Sequence, residues 1–336
     1  MKLDSANDDR KISKYTPSVV VSHYNQGKSL QRLLECLTQQ EPIREMEILV
    51  CDDGSADPPS TRWLRSQLHA FPNIAGVVLS QEHRSNRVAR SRNNGIKAAQ
   101  GNYVIFLDAD MLVARDFITQ HLATAAEGVI SCGTRTDLVC RGDLTLNVGE
   151  IDEKLSDERV RDAAAYRQEA MVSSRNPWRA CIGANFGAAK SDRLKFNELF
   201  IGRAPEDLEL AYRLCRRHGY HVRVNRRTCG LHVKSLETHS RWREIDHAGI
   251  VDILRNASYM KDLHPEIDVD EVFGALREFR IDSVTKKWRR STQQEMLERR
   301  QKASTVMNEA REWFERATWS KARASHEVDK QAKRGG

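Results

Sequence analysis

Short runs of β-branched and aliphatic residues alternate with amphipathic stretches from Ser18 to about Leu138. That alternation predicts βαβ units on a mostly parallel sheet. The runs Val19–Ser22, Glu47–Cys51, Gly76–Leu79, Tyr103–Leu107 and Val129–Ser131 read as strands. Between them Leu30, Leu33, Leu34 and Leu37 fall on one helical stripe, and Trp63, Leu64 and Leu68 on another. Farther along, Leu155 to Val172 reads as a polar helix, Ser173 to Gly187 as a loop, and Tyr220–Val224 as a short strand. Pro205, followed by Glu206 and Asp207 and then apolar residues at helical spacing, predicts a helix start. Beyond Lys234 the spacing is helical throughout: Ile250, Ile253, Leu254 and Ala257 mark one helix, Val272, Phe273 and Leu276 another. No Gly or Pro lies between Gly274 and Gly335, and Met296, Ala303, Met307, Ala310, Phe314 and Ala317 keep a near-heptad spacing, which predicts a long helix or hairpin. The predicted organisation is a polar tail over 1–15, an α/β domain over 16–238 and a helical region over 239–336.

Composition narrows the class. With 336 residues, 40% apolar and 30% charged, the chain is long enough to bury a full core without covalent staples. No apolar run approaches the ~20 residues needed to span a bilayer, and the first residues are too polar for a signal peptide. Seven scattered cysteines with no CxxC pair predict neither a disulfide framework nor a zinc site, so a reducing cytoplasm is the predicted compartment. The net charge of +7 resides in the tail: Val284 to Gly336 holds 14 Lys and Arg against 7 Asp and Glu, and the rest of the chain is balanced. A basic helix face reads as solvated, and leaves open a peripheral contact with the inner face of a membrane. Nucleic acid is not a predicted partner, because no recognised module accompanies the charge.

In a doubly wound sheet, ligands sit outside the carboxyl ends of the strands. Three of these strands end in polar or acidic residues: His23-Tyr24-Asn25, Asp52-Asp53-Gly54-Ser55 and Asp108-Ala109-Asp110. No GxGxxG or GxxxxGK[ST] follows the first strand, so the usual backbone cradles for phosphate are absent. Paired carboxylates offer another route, since they can hold a divalent cation that neutralises a diphosphate. Asp108 and Asp110 are two apart, which at a strand end directs both to one side. Glu206 and Asp207, in the first turn of a helix, serve equally as complements of the helix dipole or as chemistry.

The order and spacing of these motifs over residues 16–235 resemble the glycosyltransferase family 2 pattern, a GT-A fold. The landmarks are Ser18 to Asn25, Asp52 to Ser55, Arg92-Asn93-Asn94-Gly95-Ile96, the run through Asp108 and Asp110, and Glu206 to Leu214. Cys181 to Gly187, Glu206-Asp207 and His232 look most like the bacterial chondroitin-polymerase and animal β-galactosyltransferase branch. The resemblance implies an α/β, Rossmann-like, mostly parallel sheet flanked by helices, here with an α-helical C-terminal extension. It implies that Ser22 and Tyr24 line a base pocket, that Asp53 with Asp52 beside it accepts from the uracil imide, and that Arg92 lies near the diphosphate. Asp108 is then directed to the ribose or a metal-bound water, Asp110 and His232 ligate Mn²⁺ (or Mg²⁺), and Asp207, next to Glu206, is the catalytic base. Where the branch has Trp-Gly-Gly this chain has Arg203, Ala204 and Pro205, so the branch's sugar preference does not carry over. Trp178 is a candidate sugar platform in its place, or a packed core residue.

The implied activity is an inverting, metal-dependent transfer of a hexose or N-acetylhexosamine from a UDP-sugar to an acceptor hydroxyl of a saccharide or natural product, giving a β-glycoside. A peptide acceptor and a non-catalytic nucleotide-sugar-binding partner are the alternatives. Homo-oligomerisation, through the helical tail, also stays open.

Overall fold

The computed structural model describes residues 14–41, 45–140, 146–235, 245–298 and 301–316. Most of the N-terminal tail and the basic stretch after 316, with its membrane and oligomer readings, lie outside the described residues. The chain divides into two compact units, Met1–Glu198 with Asp207–Leu236, and Leu199–Glu206 with Glu237–Gly336.

The first unit is built on eight strands: β1 (Pro17–His23), β2 (Met46–Asp52), β3 (Ile74–Ser80), β4 (Tyr103–Asp108), β5 (Met111–Val113), β6 (Val129–Cys140), β7 (Asn185–Ala189) and β8 (His221–Ser235). They form one sheet in the order β3-β2-β1-β4-β7-β6-β8-β5. The block β3-β2-β1-β4 is parallel, as the pattern predicts. β7 then enters antiparallel between β4 and β6, and β5 pairs antiparallel with β8 at the edge. Its helices are α1 (Gly27–Thr38), α2 (Thr61–Leu68), α3 (Val88–Ala98), α4 (Phe117–Ala123), α5 (Val148–Ser156), α6 (Glu158–Val172) and α7 (Glu206–His218).

Strand alternation explains how these helices are seated. Val19, Val21, Ile48, Val50, Ile105 and Leu107 join Leu30, Leu33, Leu34 and Leu37 of α1 in one buried cluster. Val20 points to the opposite face and meets α3, where a Cβ on Gly95 would stand 2.6 Å from Val20 Cγ1 and 2.8 Å from Cys51 Sγ. Gly95 therefore lets α3 lie against β1 and β2, and so fixes the height of Arg92, one turn earlier, over the strand ends. All seven cysteines are free.

Three stretches differ from the sequence reading. The polar helix predicted from Leu155 is two helices, because Asn147 caps α5 in a reciprocal box with Glu150, and Asp157 caps α6. The loop predicted to Gly187 contains β7, whose residues are all buried. The strand predicted at Tyr220–Val224 continues to Ser235 through a register shift opposite Gly133 and Arg135.

The second unit holds α8 (His247–Leu263), the short α9 (Val269–Val272), α10 (Gln293–Glu298) and a helix α11 over 303–316. The stretch after Gly274 is not one helix: β9 (Phe279–Ile281) and β10 (Trp288–Arg290) pair as an antiparallel hairpin. Asp282 makes the turn, accepting hydrogen bonds from the Val284 and Thr285 amides and the Thr285 hydroxyl. Among the described residues no helix is long and apolar enough to cross a membrane.

Candidate active site

The carboxyl ends of β1, β2 and β4 lie side by side, with Ser22 in register with both Cys51 and Asp108, and His23 with Asp52. At the end of β2 the two aspartates part company. Asp52 is fully enclosed: its carboxylate accepts from the Ser55 hydroxyl at 2.5 Å and from the Gly54 and Ser55 amides, and lies 2.9 Å from His23 Nδ1. Burial alone would raise its pKa, but the Ser55 and His23 hydrogen bonds outweigh it and hold the carboxyl below its ordinary value. Asp52, grouped with the nucleotide-binding residues in the sequence reading, thus shapes the turn, and its side chain is buried.

Asp53 is held differently. It accepts from the Gln81 side-chain amide at 2.5 Å and from the Arg87 backbone amide at 2.8 Å, and Gln81 Oε1 in turn accepts from Asn94 at 3.1 Å. Tyr24 is 42% exposed and stacks on His83, with ring centroids 4.4 Å apart and planes 12° from parallel. His83 Nδ1 lies 2.9 Å from the Asp53 carbonyl. An exposed, flat aromatic pair beside a carboxylate is a surface on which a planar base can stack while its imide N–H finds an acceptor.

Arg92 is only 3% exposed. It donates from Nη2 to Asp108 at 3.0 Å and from Nε to the Ser22 hydroxyl at 3.1 Å, and its guanidinium stands 5.4 Å over the Phe196 ring. Predicted to lie near the diphosphate, Arg92 is found as the counter-charge of the first acid in the pair. Burial raises the Asp108 carboxyl above its usual range, Arg92 opposes that rise, and Asp110 adds to it.

The second acid is met from across the sheet. Asp110 Oδ2 accepts from the Gln26 amide at 3.0 Å and lies 3.4 Å from His232 Nε2; Oδ1 is buried with no hydrogen-bond partner among the described residues. His232 reaches this place because β8 pairs antiparallel with β5, setting Met111 opposite His232, and the Val233 amide bonds the Asp110 carbonyl at 2.9 Å. On its other side His232 Nδ1 lies 3.1 Å from Asp137 Oδ1, and Asp137 Oδ2 accepts from Lys234 at 2.7 Å. Burial lowers the His232 pKa, but the Asp110 hydrogen bond and charge, with a further bond from Asp137, bring it above its ordinary value.

A carboxylate and an imidazole are donor types suited to Mn²⁺ or Mg²⁺, and the unpartnered Oδ1 is the kind of buried acceptor that a cation satisfies. Among the described residues no group of three or more His, Cys, Asp or Glu is arranged to hold a metal, so this pair would need a ligand's oxygens and water to complete the shell.

Glu206 is the first residue of α7 and is buried. Asp207 follows it, its Oδ2 accepting from the Gly183 amide at 2.8 Å and its Oδ1 from the Leu208 amide at 2.8 Å. A Cβ on Gly183 would lie 2.6 Å from Arg92 Nη1, so one glycine touches both the acid pair's counter-charge and Asp207. Trp178 does not serve as a platform: it is 1% exposed, edge-on to Tyr212 and bonded to Asn176.

Sequence reasoning missed Gln26, Gln81, His83, Gly183, Asp137 and Lys234. A signal existed for the last two. Arg135 and Asp137, then His232 and Lys234, place polar residues at every second position of a strand end, which marks one face.

Residues 18–168 match the model of glycosyl transferase family 2. Validoxylamine A glucosyltransferase of Streptomyces hygroscopicus subsp. jinggangensis is 26% identical over 287 residues, 77% of this chain and 63% of the relative. Chondroitin synthase of Escherichia coli is 27% identical over 228 residues, 60% of this chain and 32% of the relative. The chain therefore spans less than two thirds of the length of either. A mannosyltransferase from Pyrobaculum calidifontis, solved with GDP-Man and Mn²⁺, superposes with a TM-score of 0.51 at 16% identity, covering 73% of this chain and 64% of that one. Residues 18–168 thus carry a glycosyl transferase family 2 domain, on a sheet of the GT-A fold.

Proposed function

We propose that the chain transfers a hexose or N-acetylhexosamine from a UDP-sugar to an acceptor hydroxyl of a saccharide or natural product, with inversion to a β-glycoside. The observation that carries the reading is the meeting of Asp110 and His232, with one Asp110 oxygen buried and unpartnered. The relatives named for validoxylamine A and for chondroitin support a glycosyl transfer to a small natural product or a saccharide.

In this reading the base stacks at Tyr24 and His83, and its imide N–H takes the place of Gln81 on Asp53. Asp110 and His232 would hold Mn²⁺ or Mg²⁺, which supplies positive charge for the diphosphate as it leaves. Asp108, oriented by Arg92, faces the ribose. Asp207 accepts the proton of the acceptor hydroxyl as the new C1–O bond forms and the C1–O bond to UDP breaks. The Gly183 and Leu208 amides fix the plane of that carboxylate, and each oxygen keeps a second lone-pair site for the incoming proton. With a single in-line displacement an α-linked donor gives a β product.

The test is UDP release by the purified chain with Mn²⁺ across UDP-glucose, UDP-galactose and their N-acetyl forms. Asp207→Asn is expected to lower turnover by roughly 10²- to 10⁴-fold with UDP binding kept. Asp110→Ala is expected to abolish the metal-dependent part. UDP release indifferent to both substitutions, or turnover with GDP-sugars alone, overturns the reading.

A further inference from the structure

His232 has two ring nitrogens, and the two are held by different strands. Nε2 lies 3.4 Å from Asp110 Oδ2, while Nδ1 lies 3.1 Å from Asp137 Oδ1 on β6, where Asp137 and His232 are direct partners in the parallel register. Asp137 is fixed in turn by Lys234, two residues beyond His232 on the same face of β8, at 2.7 Å.

An ionised carboxylate only accepts hydrogen bonds, so the short contact at Nδ1 puts the hydrogen there. While no cation is present the Asp110 carboxylate accepts at Nε2 on the same argument, and a cation that takes Nε2 leaves the remaining hydrogen at Nδ1, on Asp137. With Asp137 removed, the hydrogen bond that keeps a hydrogen at Nδ1 is lost. The ring can then carry it at Nε2 and donate it to Asp110, a bond that occupies both groups a cation would need. A carboxylate behind a ligating histidine is a general means of fixing its tautomer and raising its basicity.

We propose that Asp137, clamped by Lys234, is a positioning residue that holds His232 in the Nδ1–H form and so sets the affinity of the Asp110–His232 pair for a divalent cation. The inference rests on the proposed metal site.

The experiment is a titration of the full-length protein with Mn²⁺, reading the free ion by electron paramagnetic resonance, in the presence of UDP. Uridine binding and melting temperature are followed beside it, with long-range ¹H–¹⁵N spectra of the metal-free His232 ring. Asp137→Ala is expected to weaken Mn²⁺ by about 10- to 100-fold. Asp137→Asn, whose amide oxygen can still accept, and Lys234→Met are expected to lose less, with uridine affinity unchanged in all three. The spectra are expected to show hydrogen at Nδ1 in the unaltered protein and its redistribution in Asp137→Ala. If His232→Ala loses Mn²⁺ while Asp137→Ala and Asp137→Asn keep it, this inference is overturned and the metal reading stands. If His232→Ala and Asp110→Asn bind Mn²⁺ as well as the unaltered protein, the metal reading fails and takes the inference with it. A ring found without hydrogen at Nδ1 in the unaltered, metal-free protein overturns the inference even if the Asp137 variants do not fold.

Discussion

Replacing Arg92 by Met keeps most of the apolar stem and removes the guanidinium, which separates its charge from its packing. The interactions lost include the ion pair to Asp108, the hydrogen bond to Ser22 and the approach to the Phe196 ring. Breaking a buried pair by deleting one partner costs about 3–5 kcal/mol, but the Asp108 side chain is 33% exposed, so water recovers part of that and about 2 kcal/mol is the working figure. The Ser22 bond adds about 1 kcal/mol and the ring contact about 0.5 kcal/mol. Arg92→Met is therefore expected to lose about 3–4 kcal/mol in urea unfolding, or roughly 10 °C in melting temperature. Asp108→Asn, which keeps an acceptor for Arg92, is expected to lose less. In the double variant the penalties should overlap, leaving a coupling of about 1.5–2 kcal/mol; a coupling within about 0.5 kcal/mol of zero would refute the view that Arg92 is Asp108's counter-charge. UDP affinity gives a second readout. If Arg92 frames the acid pair without touching the nucleotide, the double variant regains stability relative to the sum of the single losses while its UDP binding stays weak.

His121 is buried and bonded through Nε2 to Asn185, and burial pushes its pKa down to about 4. Its folded value lies below the unfolded one, so the unfolded chain takes up the proton first. Stability is complete above about pH 6.5 and falls by up to about 3 kcal/mol as pH drops toward 4, and His121→Gln should flatten that slope in unfolding curves taken across the window. Gly183→Ala puts a methyl group against Arg92 beside the amide that bonds Asp207, and should cut UDP release about 10²-fold at little cost in melting temperature; a change under threefold counts against that glycine's role. Asn185, 1% exposed, bonds the Thr134 and Thr228 carbonyls and His121, so Asn185→Ala should destabilise by about 2–4 kcal/mol in urea, whereas a purely superficial role predicts no shift.

What could be read from the chain was local. The four parallel strands announce themselves because Val19 to Ser22, Glu47 to Cys51 and their partners are continuous apolar runs bounded by polar loops, and α1 because its leucines keep a helical period. β7 was hidden: Asn185 to Ala189 has one large apolar residue, Phe186, and three of its five positions are Gly or Ala, so nothing in the run favours a strand. It is a strand because Phe186 packs on Phe106 and Phe196, and because Asn185 ties it to β6 and, beyond that, to β8. β5 is only three residues long and has no local period to detect. In the second unit the absence of Gly and Pro suggested a long helix or hairpin, yet Phe279 and Trp288 are buried on a pair of short strands turned by Asp282, a residue whose side chain can replace backbone partners in a turn. The candidate site divides in the same way. Asp108, Asp110 and Asp53 follow predicted strands directly, whereas Asp137 and Lys234 matter only through a pairing across some hundred residues of chain.

That pairing has a consequence for how the site is maintained. His232 faces Asp110 only because β8 is aligned simultaneously with β5, Met111 opposite His232, and with β6, Asp137 opposite His232. A one-residue slip on either side would turn every side chain of β8 to the other face and take His232 away from both carboxylates. The irregularity between Gly133 and Arg135 lies upstream of this stretch, and it separates the first half of β8, aligned on Val129 to Gly133, from the half that carries His232. Gly230 and Gly133 stand at the shift: a Cβ at 133 would stand 2.2 Å from Oδ1 of the buried Asn185, and one at 230 would press at 2.5 Å on the end of Met111, the residue opposite His232. The meeting of His232 with Asp110 is therefore encoded less by the histidine than by two glycines and a bulge that let one long strand serve two partners. Gly230→Ala should consequently loosen His232 and weaken Mn²⁺ binding while leaving uridine binding, at the far strand ends, intact. Equal loss of both ligands in that variant would mean that the sheet edge and the base site form one cooperative body, and that register at β8 is not a local determinant of the metal seat.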